Sequence, residues 1–208
     1  MSQNSEKKDS KKETWDTVKT FIIALIVTLL FVNFIAHPVT VVGSSMYPTL
    51  EDGEYGFTNI FSGKHGTIKR SDVIIVNMIE NGEKSRWVKR VIGLPGETIE
   101  CIDDEIYING EKIDESEYID SQYKNKMIEQ NGYFNQTGYS ILQEDGTNIQ
   151  GSKDWGPVKL EDDEYFVMGD NRPHSADSRL ESVGPIKQSQ IYGKNMLILL
   201  PIDKMGWN

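Results

Sequence analysis

The sequence predicts a mostly β domain that follows a single N-terminal transmembrane helix. Two observations indicate this fold class: a long apolar segment lies near the start of the chain, and short β-type runs separated by turn residues come after it. A chain of 208 residues with 38% hydrophobic residues has room for one main core and an accessory segment. We therefore divide it into a tail (1–17), an anchor (18–36), a β-rich domain (37–113 and 160–208) and an inserted polar cap region (114–159).

The anchor is the apolar segment from Val18 to Ala36, in which Lys19 is the only charged residue. A helix of this length would extend about 28 Å, which is close to the thickness of a bilayer core. A cleavable signal peptide would have a shorter apolar region, and it would need a small residue where this chain has Phe34. The segment is therefore interpreted as a retained membrane span.

Basic residues predict the orientation of this span. No Lys or Arg occurs after it until Lys64, whereas five lysines precede it or lie at its start: Lys7, Lys8, Lys11, Lys12 and Lys19. Lys and Arg close to the ends of a span favour the cytoplasmic side. The sequence therefore predicts a single-pass protein of the cell membrane, with a cytoplasmic N-terminus and an extracytoplasmic β domain.

Beyond the anchor, seven β-type runs are predicted as strands. They are Val39–Val42, Asp72–Asn77, Arg86–Ile92, Ile99–Ile102, Glu105–Ile108, Glu164–Met168 and Ile191–Leu200. Asn109-Gly110 is a strong hairpin signal, because this dipeptide tolerates the positive φ angles of a type I′ turn. From Asp114 to Lys159 the composition is polar and the periodicity is weak, which indicates an inserted cap or an irregular excursion.

The charge and the residue counts exclude several classes of function. The net charge is -10, and no cluster of Lys and Arg occurs outside the tail, so nucleic acid is excluded as a partner. The single cysteine, Cys101, cannot form an intramolecular disulfide. The three histidines and this cysteine have no spacing typical of a metal site, so neither a metal nor a cofactor is expected.

Three segments carry residues that could perform chemistry. Ser45 lies on a Gly-containing turn at the end of an apolar run, a few residues after the anchor. Lys89 and Arg90 are neighbours in an otherwise apolar strand, so one of them must point inward, and an inward lysine is costly unless it is neutral or paired. The third segment, 167–179, ends a strand in a loop rich in hydrogen-bonding side chains. Each segment alone also fits ordinary structure.

Taken together and in this order, the three segments resemble the type I signal peptidases, which are membrane-bound Ser/Lys endopeptidases that remove signal peptides from exported proteins. The single anchor and the modest length resemble the Gram-positive bacterial branch. In the eukaryotic microsomal branch a His takes the place of the lysine, so Lys89 distinguishes this chain from that branch. The matching runs are Ser45–Leu50, Lys89–Gly96, Gly169–Arg172, Ser175–Arg179 and, with Ser71 in place of the usual Gly, Arg70–Ile74.

The resemblance implies a catalytic dyad. Ser45 would attack the scissile carbonyl, and Lys89 would accept its proton and later deliver it to the leaving amine. The backbone N–H of Ser45 would donate to the oxyanion. Some relatives carry a second, hydroxyl donor two positions earlier, where this chain has Gly43.

The resemblance also implies supporting and substrate-binding residues. Ser175 would hold Lys89 in line, Asp177 and Arg179 would form an ion pair beneath the loop, and Asp170 would brace it. Six residues would line shallow pockets for small substrate side chains: Val39, Val41, Met46, Leu50, Trp87 and Val88. The expected partners are the signal peptides of exported preproteins and membrane lipid, with the secretion machinery nearby.

Two alternative functions stay open on the sequence. Ser45, His174 and Asp177 are the residue types of a Ser-His-Asp triad, so a triad hydrolase is one alternative. The other is a membrane-anchored β domain that binds a partner and catalyses nothing. An inert Ser45, or a charged Lys89 far from it, would favour this binding domain.

Overall fold

The computed structural model describes residues 3–34, 36–80, 82–142 and 148–207, and it begins with one long helix, α1 (Gln3–Phe34). Most described apolar side chains of α1 are exposed; Phe21, for example, is 72% exposed, and Val32 is half-buried. Ile35, near the end of the predicted anchor, lies outside the described residues. Within the described part of the chain, no helix combines the length and the apolar character that crossing a bilayer requires.

The rest of the described chain consists mainly of antiparallel strands. In chain order they are β1 (Ala36–Thr40), β2 (Tyr55–Asn59), β3 (Val73–Glu80), β4 (Glu83–Gly93), β5 (Thr98–Ile102), β6 (Glu105–Ile108), β7 (Glu111–Lys112), β8 (Thr137–Leu142), β9 (Asn148–Lys153), β10 (Trp155–Lys159), β11 (Glu164–Met168), β12 (Ile186–Lys187), β13 (Ile191–Leu200) and β14 (Gly206–Trp207). Two further helices are α2 (Ile60–His65) and α3 (Ser121–Asn131). The mostly β class predicted from the sequence is therefore confirmed.

The strands form one large sheet, one small sheet and a hairpin. The large sheet has the order β1-β2-β13-β3-β4-β11-β12, with β14 paired to β13. The small sheet has the order β10-β5-β6-β7, and β8 pairs with β9. Since β13 is inserted between β2 and β3, the start and the end of the β-rich domain meet in the middle of the large sheet.

Strand β4 is covered on both faces. Val91 packs in a cluster with Ile74, Val76 and Val167 on one face. Its neighbour Ile92 packs on the other face, in a cluster to which the small sheet contributes. Because neighbouring residues of a strand point to opposite faces, the two preceding residues, Lys89 and Arg90, are both buried, at 4% and 6% exposure. The sequence required one of the two to point inward, and the structure buries both.

All seven predicted strands are present, some with the predicted bounds and others with shifted ends. Glu105–Ile108, Glu164–Met168 and Ile191–Leu200 are found with the predicted bounds. The first strand is Ala36–Thr40 instead of Val39–Val42, because Thr40 is the last residue paired with β2 and the chain then enters a turn. The predicted hairpin turn is present, with φ of 52° at Asn109 and 82° at Gly110.

The region from 114 to 159 contains regular structure, unlike the irregular excursion expected as one possibility. Helix α3 begins where the Asp120 side chain accepts from the Tyr123 N–H at 2.8 Å, and it ends at Gly132 in the left-handed conformation. Only Tyr123 and Met127 of α3 are buried, which is why its period is faint in the sequence. Strand β10 at the end of this region pairs with β5.

A close approach of β2 and β13 gives a test of this topology. A Cβ atom at Gly56 would lie 2.0 Å from the carbonyl oxygen of Leu197. We expect Gly56→Ala to lower the free energy of unfolding by about 1–3 kcal/mol, because the two strands must separate to admit the methyl group. Urea unfolding followed by tryptophan fluorescence measures this. Gly206→Ala is the control, since no atom lies within 4 Å of a Cβ there; equal stability of the two variants would contradict the close approach.

Candidate active site

Ser45 lies in the turn between β1 and β2, and backbone hydrogen bonds hold this turn at its base. Val41 N–H donates to the Glu54 carbonyl at 2.8 Å, and Gly53 N–H donates to the Val41 carbonyl at 3.0 Å. Gly43 has a φ of 88°, which favours glycine, and its N–H donates to the Asp52 carboxylate at 2.8 Å. The turn therefore presents Ser45 from a fixed base.

The side chains of Lys89 and Ser45 are in direct contact. Nζ of Lys89 donates to Oγ of Ser45 at 2.8 Å, and it lies 5.4 Å from the centre of the Trp87 ring. Burial lowers the pKa of Lys89 to about 8, even though the charges of Asp177 and Asp170 act in the opposite direction; Arg179 contributes to the lowering. At pH near 8 the amine is therefore neutral in a large fraction of molecules.

Asp170 holds β4, the Ser45 turn and the loop after β11 together. Its carboxylate binds Arg90 in a bidentate manner, with distances of 2.8 Å to Nε and 2.6 Å to the terminal nitrogen. It also accepts from the Thr49 hydroxyl at 2.6 Å. The role of Asp170 in bracing the loop stays a prediction, and its partners Arg90 and Thr49 were not predicted. The adjacent charges of Lys89-Arg90 were the signal that could have identified Arg90.

Arg90 also reaches the segment in which Ser71 replaces the usual glycine. Its guanidinium donates to the Ser71 carbonyl at 2.8 Å. Ser71 has a φ of 70°, in the left-handed region that favours glycine. The conformation itself explains why glycine would suit this position.

Asp177 and Arg179 form the ion pair that the sequence predicted. Nε of Arg179 lies 2.8 Å from the Asp177 carboxylate, which also accepts from the Gly169 N–H at 3.0 Å. Burial by itself would raise the pKa of Asp177, but the charge and the hydrogen bonds of Arg179 hold it below its usual value. The carboxylate therefore stays charged and paired beneath the loop.

Ser175 lies beside the dyad but does not contact Lys89 through a hydrogen bond. Its hydroxyl lies 3.5 Å from the Ala176 carbonyl oxygen. A Cβ at Gly169 would be only 2.3 Å from both the Ser175 hydroxyl and the Ser45 carbonyl oxygen. Gly169 thus allows the loop and the turn to approach each other, and the role of Ser175 in orienting Lys89 stays a prediction.

The contacts of Ser45 and Asp177 do not form a triad with His174. The His174 side chain is exposed, the Ser45 hydroxyl accepts from Lys89, and the Asp177 carboxylate is engaged by Arg179 and by the Gly169 N–H. A Ser-His-Asp triad would need His174 between the other two residues. These contacts therefore favour the dyad over the alternative.

A groove of about 330 Å³ leads to Ser45 and Lys89. Four of the six predicted pocket residues line it: Val41, Met46, Trp87 and Val88. The structure does not bring the other two to the groove, because Leu50 is fully buried and Val39 packs on the same apolar cluster beneath the turn. Val42, which was not predicted, lines the groove and is 85% exposed.

Known proteins resemble this chain over nearly its whole length. The sequence pattern of the family described as "Signal peptidase, peptidase S26" matches residues 14–200. Signal peptidase I S of Bacillus subtilis (strain 168) is 38% identical over 201 residues, which is 97% of each chain. Signal peptidase I T of the same organism is 39% identical over 208 residues, covering 97% of this chain and 94% of that protein.

One solved structure is also similar in sequence. A signal peptidase I from Enterococcus faecalis V583 is 29% identical, with a TM-score of 0.40, and the match covers 61% of this chain and 95% of that one. The match to the family pattern includes the Ser45 turn, strand β4 and the loop after β11, and each of the two Bacillus relatives matches 97% of the chain. The chain belongs to the signal peptidase family, peptidase S26.

Proposed function

We propose that this serine endopeptidase removes signal peptides from exported preproteins with Ser45 as nucleophile and Lys89 as general base. The observation that carries the proposal is the 2.8 Å hydrogen bond between Lys89 Nζ and Ser45 Oγ, at the end of an open groove. A base must lie within hydrogen-bond reach of the proton that it removes, and this pair meets that condition.

The geometry supports a two-step acyl transfer. Neutral Lys89 takes the hydroxyl proton while Ser45 Oγ bonds to the scissile carbonyl carbon, and the resulting ammonium then protonates the leaving amine. Water hydrolyses the acyl-enzyme, with Lys89 again as the base. Among the described residues, no acceptor binds the Ser45 N–H, so this donor is free for the oxyanion.

The groove suits a substrate with small side chains near the cleaved bond. Val41 and Met46 are 4% and 2% exposed and form an apolar floor of the groove. Trp87 and Val88 of β4 stand beside that floor, next to the base. An extended peptide end could therefore pass along β4 and reach Ser45.

Residues 18–36 are proposed to anchor this domain in the membrane, with the N-terminus cytoplasmic. Support comes from the apolar sequence interrupted only by Lys19, from the lysines before it, and from the exposed apolar side chains of α1. The turn that carries Ser45 begins close after this segment. The site would then act on substrates held in the same membrane.

The first test compares the proposed base with the alternative one. Lys89→Ala and Lys89→Arg should each lower kcat about 10²- to 10⁴-fold, because alanine removes the base and arginine stays protonated. Cleavage of a preprotein in detergent, with Ser45→Ala as the inactive reference, provides the measurement. His174→Ala should keep most of the activity. An active Lys89→Ala beside an inactive His174→Ala would instead establish a triad.

The second test uses pH, because only the neutral amine can act as base. With a Lys89 pKa of about 8, kcat should rise about tenfold per pH unit below that value and level off above it. The measurement is the rate of preprotein cleavage across a series of buffers from about pH 5 to pH 10. A rise of kcat with a midpoint near pH 6.5 would indicate that a histidine is the base instead.

Stability should change with the same titration. Because the pKa of Lys89 is lower in the folded than in the unfolded chain, the unfolded chain binds more protons between about pH 8 and 10.5, and the free energy of unfolding should gain roughly 3 kcal/mol from this group across that window. Urea unfolding at several pH values measures this gain. Lys89→Met should lack this increment while also lacking activity. An unchanged pH dependence of unfolding in that variant would argue against a depressed Lys89 pKa.

The third test concerns orientation. Protease added outside intact cells or spheroplasts should cleave within 114–159, whereas an epitope at the N-terminus should be protected until the membrane is breached. Lysed cells treated with the same protease, in which both sites are cleaved, are the control. Protection of the 114–159 region in intact cells would show that the orientation is reversed.

A further inference from the structure

Asn171 connects the loop after β11 to the turn that carries the nucleophile. Its backbone N–H donates to the Ser45 carbonyl at 3.0 Å, and its side-chain Nδ2 donates to the Ser44 carbonyl at 3.0 Å. Asn171 is itself 6% exposed. One buried residue therefore fixes two consecutive carbonyl groups of the turn.

The bond to the Ser44 carbonyl has a consequence for the next N–H group. The Ser44 carbonyl and the Ser45 N–H belong to the same peptide unit, which is planar, and in a trans peptide they point in opposite directions. Asn171 shares this carbonyl oxygen with the Tyr47 N–H, which donates to it at 3.1 Å. The two donors together hold the oxygen in place and so fix the direction of the Ser45 N–H. That N–H is the proposed oxyanion donor, and it is free of other acceptors in the described part of the chain.

The orientation of the Asn171 carboxamide is in turn fixed from helix α3. The Tyr123 hydroxyl lies 2.9 Å from Oδ1 of Asn171. Because the Ser44 carbonyl can only accept, the amide nitrogen must face it, and Oδ1 must face Tyr123, whose hydroxyl then donates. Burial, with contributions from Tyr47 and Asp170, raises the pKa of Tyr123 to about 12, so the phenol keeps its proton at neutral pH.

We infer that Asn171 is a positioning residue for the oxyanion donor of Ser45, and that Tyr123 of the inserted region orients the Asn171 carboxamide. The inference rests on the proposed Ser45/Lys89 function and extends it to a residue of the polar insertion. Neither side chain is proposed to contact the substrate. Both act through the peptide between Ser44 and Ser45.

The hydrogen bond of Tyr123 can be separated from its packing. The Tyr123 ring makes edge contacts with Tyr47 and Phe134, at centroid distances of 5.6 Å and 6.2 Å. Tyr123→Phe keeps these ring contacts and removes only the hydroxyl. Asn171→Asp likewise keeps the shape and Oδ1 but presents no donor to the Ser44 carbonyl.

Cleavage of a signal-peptide substrate by the full chain in detergent tests the inference. We expect kcat to fall about 10²-fold in Asn171→Asp and about 2- to 10-fold in Tyr123→Phe, with KM changed less than about twofold, because the lost interaction acts in the transition state. In Tyr123→Phe the rise of kcat near pH 8 should stay in place, since this substitution adds no charge near Lys89. A rise of KM with kcat unchanged would point to lost substrate binding and overturn the inference.

Tyr118→Phe is the matched control, because its hydroxyl lies in the same inserted region and donates to Glu115 at 3.1 Å instead of to Asn171, and phenylalanine keeps the ring beside Arg90. Its kcat should equal that of the wild type. If Tyr123→Phe also equals the wild type while Ser45→Ala is inactive, the proposed function survives and the inference fails.

A second measurement does not depend on activity. In ¹⁵N-labelled protein the Ser45 amide signal should shift in Asn171→Asp and in Tyr123→Phe, and it should stay in place in Tyr118→Phe. An unmoved Ser45 signal in Asn171→Asp overturns the inference, even if the wild-type chain cleaves no preprotein and the proposed function itself fails.

Discussion

A lysine amine held out of water within 2.8 Å of a serine hydroxyl is the constraint on which the rest of this structure depends. A fully solvated lysine would be protonated at neutral pH and could not act as a base. Lowering its pKa to about 8 costs roughly 3 kcal/mol of stability. The fold provides the required burial by covering β4 on both faces, so that a lysine in the middle of that strand has little access to solvent.

Two arginines pair with the carboxylates that act on Lys89. The charges of Asp177 and Asp170 raise the pKa of Lys89, whereas the charge of Arg179 lowers it. Asp177 is paired with Arg179 and Asp170 with Arg90, in both cases at buried positions. The ion pairs thus connect the loop and the turn, and Arg179 also reduces the negative potential at Lys89, the proposed base. A buried carboxylate without its arginine would act against catalysis as well as against folding.

The sequence predicted the parts of the fold that leave a local pattern. Alternating apolar runs such as Glu105–Ile108 and Ile191–Leu200, and the Asn109-Gly110 turn, determine their own conformation. Strand β2 was not predicted, because Gly56 interrupts its run of β-type residues. The need for glycine there becomes clear only in the structure, where β13 approaches the strand too closely for a Cβ atom. Contacts between residues distant in sequence could not be predicted either. Arg90 and Asp170 are 80 residues apart, and their contact depends on the pairing of β4 with β11.

Resemblance indicated which residues form the site, but not how the insertion reaches it. Arg172 is almost completely buried, and its guanidinium contacts Glu115 and Asn135 of the region 114–159 as well as the Gly169 carbonyl. Removing a partner from such a buried charge would be costly, so this region and the loop after β11 must fold together. Tyr123 adds a second connection, to Asn171. A region that the sequence marks only by polar composition is therefore connected through Arg172 to the loop after β11, and through Asn171 to the backbone of Ser45, the proposed nucleophile.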